Sequence, residues 1–509
     1  MRKSLLKNIF LSLALFWASL PLIGNSLVNI SGNAKGHEGS TIFLMMYSDL
    51  YTKTLSQAAS TSIDDDGNFV LSAEINEIEY VCLRFDHLNA FLYLQPGKNY
   101  SLQMLPLNER QSVSMNNKTK VSYLFTSLDD DDINKHIIEF NTDHDIFFDQ
   151  NYELLKKMAA PPGSHFQRKL KGDSIQLKPS LRGLSNQQKL AKEVSAFAQA
   201  MDIKYKDVDN EFFHVHRKMV VADLHLQLKG TEKTLYDTYL KSTAYHPKCP
   251  EYVGFTRSFY DKYFANYMFK WNDQTLIDNL NKGDVEGVMS LLKKDDFIAN
   301  EEMRQFVLCH AIYETMNSKQ LKKEGSYSIL DQIAESGINK SIKDLARAVK
   351  RKMTKTQKGF PAYDLALPNH LQEVIKLSDF KGKHVLISFF NDRCSECPSE
   401  LSIISQMHDK YKKHVEFISI GLDFKNEKMS DFLARNRDFK WTFLDGSQDG
   451  SLSEEFDIYS LPTFMLIDPN GNFVNAYAKK PSEGLEETVY SIFQKKETER
   501  KGKRRVGRK

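Results

Sequence analysis

The chain has 509 residues, too many for one ordinary domain, and 41% hydrophobic residues are enough apolar side chains for more than one core. A formal charge of +3 over that length gives no sign of a nucleic-acid partner, and five cysteines are too few for a disulfide scaffold.

Met1-Arg2-Lys3 and Lys7 form a basic head, residues 9–20 an apolar stretch, and Pro21 and Gly24 end it. That order is the pattern of a secretory signal peptide, assigned to residues 1–25, and the stretch is short for a membrane-spanning helix. A small-x-small cleavage triplet is absent, so an uncleaved N-terminal anchor stands as the alternative. The body of the chain is expected in the periplasm or cell envelope.

Residues 26–112 read as a β-sandwich-like domain. Apolar runs at 41–47, 69–71, 79–85 and 91–94 are separated by the turns Asp64-Asp65-Asp66-Gly67-Asn68 and Pro96-Gly97-Lys98. The three aspartates lack the spacing of a calcium loop and read as a solvated turn.

Residues 113–355 read as a helical region. Apolar residues recur at helical spacing in 137–140, 146–155, 194–201, 212–228, 236–240, 255–269, 276–292, 303–316 and 329–353, with loops at Pro161-Pro162-Gly163 and Pro247. His214 and His216 are two apart, so on a helix they face different ways and make a poor metal pair. The aromatic stripe of Phe255, Phe259 or Tyr260, Tyr263, Phe264 and Tyr267 reads as core or domain interface rather than a ligand groove. Cys82, Cys249 and Cys309 read as buried thiols, with a Cys249–Cys309 bridge left open.

Chemistry enters in the final domain, 356–495. The run Val385-Leu386-Ile387-Ser388-Phe389-Phe390 reads as a buried strand, followed by a polar turn and Cys394-Ser395-Glu396-Cys397. Helical spacing of Leu401, Ile404, Met407, His408 and Tyr411 predicts a helix, with Cys394 in the turn before it and Cys397 about one turn inside. Orphan backbone N–H groups and the helix dipole favour a thiolate there, and the second thiol is in reach to resolve a mixed disulfide. A zinc site would need two further ligands, which His408 and His414 do not supply in pairs with cysteine; an inert pair is the remaining alternative. Strands at 415–420, 441–444, 461–467 and 473–477 alternate with helices near 428–436 and at the end of the domain, an α/β arrangement. Residues 496–509 are dense in Lys and Arg and read as a solvated tail, with weak contact to an anionic membrane as the functional alternative.

Cys394-Ser395-Glu396-Cys397 after a buried strand, Leu461-Pro462-Thr463, the turn Asp468-Pro469-Asn470-Gly471, and the preamble segments at 361–365 and 377–383 together resemble the thioredoxin superfamily, in its TlpA/ResA-like branch. The preceding regions resemble, more loosely, those in multidomain cell-envelope proteins of the Bacteroidetes type. The resemblance implies that Cys394 is the nucleophile, Cys397 the resolving cysteine, and Pro462 a cis residue holding Leu461 against the pair so that a substrate strand adds alongside. It also points to Glu400, three residues after Cys397 and on the same helix face, as a proton acceptor for Cys397; a plain surface glutamate is the alternative. Two departures matter. Ser388 stands where thioredoxin has a buried aspartate, and Arg393 stands where the family has tryptophan. Arg393 favours the Cys394 thiolate and Glu396 opposes it, each by about 1 kcal/mol when solvated.

The reading is an extracytoplasmic thiol-disulfide oxidoreductase that reduces partner disulfides through Cys394/Cys397 without cofactor or metal. Its implied partners are disulfide- or thiol-bearing envelope proteins and a membrane electron donor or acceptor, not nucleic acid. The alternative of another class is an envelope binding or scaffold protein that keeps the thioredoxin fold as an interaction module.

Overall fold

The structure, a computed structural model, describes residues 26–86, 88–106, 119–159, 181–228, 231–266, 274–298, 300–422, 426–492 and 494. The signal segment, the basic tail, the Pro161-Pro162-Gly163 loop and Tyr267 lie outside the described residues. No helix among the described residues is long and apolar enough to cross a membrane.

Among the described residues the first elements are the strands β1 (Ser26–Asn33), β2 (Thr41–Asp49), β3 (Thr54–Ser62), β4 (Asn68–Ile75), β5 (Glu79–Phe85), β6 (Leu88–Leu94), β7 (Asn99–Met104), β8 (Thr119–Lys120) and β9 (Tyr123–Ser127). They form two sheets, ordered β4-β1-β7-β9 and β3-β2-β5-β6-β8. Alternate residues from both sheets meet in one core, with Val28, Ile30, Leu71 and Leu102 facing Ile42, Leu44, Val81, Leu83 and Leu92. The second sheet is covered on its other face too, where Phe43, Met45, Leu55 and Cys82 cluster. Burial on both faces explains why β2 and β5 are nearly continuous apolar runs rather than alternating ones. Pairing of β9 with β7 carries this domain to Ser127, past the boundary expected at 112. The polar composition of residues 105–122 hides that continuation from a pattern search.

The helical region contains α1 (Ile133–Ala159), α2 (Leu181–Lys204), α3 (Glu211–Gln227), α4 (Pro250–Phe259), α5 (Gln274–Lys282), α6 (Val285–Leu292), α7 (Glu301–Glu314), α8 (Lys323–Ser336) and α9 (Lys340–Thr354). Several starts are fixed by a side chain accepting a backbone N–H: Asn210 from Phe213, Asp284 from Gly287, Asn300 from Met303 and Asn339 from Ile342. α7 is buried on nearly all sides, and α9 buries Ile342, Leu345, Ala346, Val349 and Met353 while turning its lysines and arginines outward. The helical recurrence expected through 255–269 breaks after Phe259, because Lys262 adopts the left-handed region (φ 55°). Tyr51 of the β-domain enters this core, where its hydroxyl lies 2.7 Å from His310 Nδ1.

The last domain is a five-stranded sheet ordered β14 (Thr442–Asp445), β13 (Val415–Gly421), β12 (His384–Phe390), β15 (Thr463–Ile467) and β16 (Phe473–Ala478). β12 runs parallel to β13 and antiparallel to β15. A hairpin of β10 (Ala366–Pro368) and β11 (Val374–Lys376) precedes the sheet. On one face lie α10 (Cys397–Tyr411) and a helix at 485–492, which close over Leu386, Phe417, Phe464 and Leu466. The hairpin and Phe456 close over Val385, Ile387 and Phe389 on the other.

One segment binds the three parts together. Arg84, 5% exposed, donates from Nη1 and Nη2 to the two Glu454 carboxylate oxygens at 2.9 and 2.8 Å and also to the Gly450 carbonyl. Asn89 Oδ1 accepts from Arg84 Nε at 3.2 Å. From the helical side Arg351 pairs with Glu455 at 2.6 Å, and Lys355 with Asp457 at 3.0 Å. Gly450 packs so closely on Phe43 that a Cβ would come within 2.9 Å of the ring.

Arg84→Met is expected to lower the unfolding free energy by about 2–3 kcal/mol in urea titration, below the cost for a wholly buried pair because Glu454 keeps some solvent. His310 gives a pH signature. Burial holds its ring near pKa 4 against 6.5 when unfolded, while Nε2 faces the Tyr260 carbonyl and Glu314. Because the folded state disfavours the proton, this stability is complete above pH 6.5 and falls by about 3 kcal/mol as the pH drops to 4. His310→Gln is expected to flatten that part of the stability–pH curve.

Candidate active site

β12 delivers the chain to the site and α10 carries it away. Between them Asn391 Oδ1 accepts the Arg393 N–H at 3.1 Å, and the Cys397 N–H reaches the Cys394 carbonyl at 3.3 Å, winding the turn tightly. Cys397 is the first residue of α10, not one turn inside it as its spacing suggests. Pro398 is the reason: it has no N–H to give to a carbonyl four residues back, so it is accommodated only in the first turn. Cys394 and Cys397 form a disulfide with a Cα–Cα distance of 5.4 Å. Cys394 is 8% exposed and Cys397 1%, so Cys394 is the more accessible of the two.

The Leu461–Pro462 bond is cis. It lies at the start of β15, next to β12, and Leu461 packs against the cluster that holds Phe390, Cys394, Cys397 and Phe443. The cysteine turn and the proline loop thus share one apolar patch at the same end of the sheet.

Charges around the pair differ from what the Cys-Ser-Glu-Cys segment shows by itself. Glu396 pairs with Lys480 at 2.6 Å, so the carboxylate that opposes a Cys394 thiolate is offset by a cation 84 positions away. Glu400 is buried, not a surface glutamate: its carboxylate accepts from the Ser482 N–H at 3.0 Å and from the Ser482 hydroxyl. Residues 480–483 therefore strap the first turn of α10 through two carboxylates. Sequence reasoning missed Lys480 and Ser482; the only local sign is Pro481-Ser482-Glu483 opening a helical turn.

Ser388 does not leave a hole where the family has a carboxylate. Its hydroxyl lies 2.6 Å from Ser419 Oγ, which also accepts from the Trp441 indole N–H at 2.8 Å. A neutral hydroxyl chain thus crosses β12 and β13. The other candidates lie elsewhere. Cys82, Cys249 and Cys309 are buried thiols, not disulfides, and burial pushes the Cys249 and Cys309 thiols far up, away from reactivity. His214 turns to the Val208 carbonyl and His216 to Glu251.

Comparison with known proteins fits this geometry. A family profile described as thioredoxin-like matches residues 382–473. The thiol-disulfide oxidoreductase ResA of Bacillus thuringiensis subsp. konkukian is 30% identical over 120 residues, covering 23% of this chain and 68% of the relative. The chain belongs to the ResA-like branch of the thioredoxin superfamily. Its enzyme class is thiol-disulfide oxidoreductase. ResA of Bacillus subtilis is 25% identical over 125 residues, covering 24% of this chain and 69% of that protein. The thioredoxin domain of a thiol-disulfide oxidoreductase from Bacteroides vulgatus is 22% identical, with a TM-score of 0.25, covering 27% of this chain and 97% of that one. The profile match lies within the C-terminal domain.

Within the ResA-like domain, Ser482→Ala is expected to cost about 1.5–3 kcal/mol in urea unfolding, the value of a hydrogen bond to a buried charge. In a Glu400→Leu background the same change is expected to cost almost nothing, which assigns the loss to this pair.

Proposed function

We propose that this protein reduces disulfides in partner proteins outside the cytoplasm, with Cys394 as nucleophile and Cys397 as resolving thiol. The observation that carries the reading is the pairing of a more accessible Cys394 with a sealed Cys397 at the start of α10, beside a cis Leu461–Pro462. Starting from the dithiol, the Cys394 thiolate attacks one sulfur of the partner disulfide. A new S–S bond forms, the partner's bond breaks, and its departing thiolate takes a proton. Cys397 then loses its proton and attacks Cys394 Sγ, freeing the second partner thiolate and leaving the Cys394–Cys397 disulfide. Two electrons have passed to the partner, and a dithiol donor on or near the membrane must restore the pair.

In this scheme Glu400 takes the Cys397 proton. It is a buried carboxylate three residues along the same helix, and the Ser482 donors fix its orientation. Pro462 keeps Leu461 against the pair, leaving the adjoining backbone for a substrate strand. The basic-then-apolar start at residues 1–25 supports export to the periplasm or envelope. Balance of charge supports an activated nucleophile, since Lys480 offsets Glu396 and the helix N-terminus adds its dipole.

Equilibration with glutathione tests the direction: a potential below about −200 mV is expected, and one near the about −120 mV of DsbA overturns the reductase reading. Cys397→Ser is expected to trap envelope proteins as mixed disulfides on Cys394, whereas a Cys394→Ser, Cys397→Ser control traps none.

A further inference from the structure

A cleft of about 700 Å³ lies where the β-domain meets the helical region, away from the cysteine pair. One wall comes from three neighbouring strands. Tyr47 on β2, Tyr80 on β5 and Phe91 on β6 set their rings nearly parallel, with centroids 5.7 Å apart in each step and planes within 7° and 14°. The opposite wall is one side of α4, including Gly254 and Arg257. A Cβ built on Gly254 meets nothing within 4 Å, so the helix offers bare backbone to open space there. Glycine is a poor residue inside a helix, and no close packing partner requires it at this position.

The polar groups of the cleft are not equivalent. Glu314 accepts the Lys262 N–H at 2.9 Å, and burial together with the facing Asp261 pushes its carboxyl up, so the pair carries less than two full negative charges, while Asp261 pairs with Lys262 at 3.5 Å. The cations keep spare capacity. Arg257 stacks over the Tyr51 ring at 4.9 Å and gives one N–H, from Nη1, to the Tyr51 carbonyl. Lys53 has no ion pair among the described residues, and its turn holds it in the left-handed region at φ 55°. Such a backbone is uncommon for a side chain other than glycine, asparagine or aspartate. Among the described residues no protein group hydrogen-bonds to the Tyr47 or Tyr80 hydroxyl, although both line the cleft.

We propose that this cleft is a binding site for a small amphiphile with an apolar aromatic or alkyl body and an anionic head group. The body lies along the Tyr47, Tyr80 and Phe91 wall, in the space before Gly254. The head group meets Lys53 and the remaining Arg257 donors, with the two phenol hydroxyls as further donors. The volume is in the range of sites that enclose ligands of this size. The site is independent of the redox reading, because no cysteine lines it.

The test uses the full chain and 1-anilinonaphthalene-8-sulfonate, which has an aromatic body and a sulfonate. Fluorescence titration is expected to saturate at one site per chain. Gly254→Ala is expected to weaken binding and Gly254→Leu to weaken it at least tenfold, while the thermal midpoint stays at or above that of the unaltered protein. Lys53→Met is expected to weaken binding about fivefold and to reduce its salt dependence. Displacement by laurate assigns the alkyl class, and displacement by 2-naphthoate alone assigns the aromatic class. The proposal is overturned if the titration does not saturate, if both Gly254 variants bind as tightly as the unaltered protein, or if uncharged dodecanol displaces the probe as well as laurate does. If Gly254→Leu fails to fold, the smaller Gly254→Ala decides alone.

Discussion

A guanidinium removed from water must be answered on every side, and Arg84 is the residue on which the arrangement of the three parts turns. Its Nε is answered by Asn89 within the β-domain, but Glu454 and the Gly450 carbonyl belong to the ResA-like domain 366 or more positions away. Alone, the β-domain would carry a cation facing open water from an apolar sheet face. Docked, that cation is paired, and Phe43 and Met45 are covered by the Gly450 turn. Such a pair contributes little net stability against an apolar replacement, yet half of it is costly to keep. It therefore acts chiefly as a requirement for one orientation. Arg351 and Lys355 add their pairs to Glu455 and Asp457 from the helical side, so neighbouring carboxylates receive partners from both other regions.

That tie lies just before the cis-proline loop in sequence. Glu454, Glu455 and Asp457 lead within a few residues to Leu461–Pro462, the loop that rests on the cysteine pair. On the other side of the pair, residues 480–483 hold Glu396 and Glu400. The turn bearing Cys394 is therefore framed by two segments, each positioned by charge pairs or charge-assisted hydrogen bonds. Preorganisation of this kind suits a reaction whose sulfurs must come into line, because the ordering cost is met in folding rather than at the encounter.

Much of the site was legible because its chemistry is local. The cysteine spacing, the buried strand before it and Leu461-Pro462-Thr463 are short-range patterns, and strands β2 and β5 stood out because burial on both faces makes them continuously apolar. β1 and β3 did not, since Ser, Asn, Gln and Thr fill their exposed positions. The start of α10 was misplaced because apolar periodicity says nothing about a missing N–H; Pro398 carries that information. Lys480, Ser482 and the Arg84–Glu454 pair were beyond reach for a different reason. Each is an ordinary polar residue in its own stretch, and only the tertiary fold brings it to its partner. Burial removes the surface reading of Glu400 in the same way, a fact that a helix-face argument cannot supply.

The outer face of the second sheet connects these observations. Along β5 the side chains Tyr80, Cys82 and Arg84 fall on one side by the two-residue period of a strand, and along β2 Phe43, Met45 and Tyr47 do the same. At one end of this face Arg84, Phe43 and Met45 receive the Gly450 turn of the ResA-like domain. At the other, Tyr47 and Tyr80 line the cleft against α4. A single packed surface thus holds the redox domain and borders the cleft, and Met45 and Cys82 on it are fully buried. A substitution that alters the packing at one end has no soft layer in which to dissipate before it meets the other, because close-packed interiors pass on strain rather than absorb it. The face on which the ResA-like domain docks is in this sense the same object as the wall of the cleft.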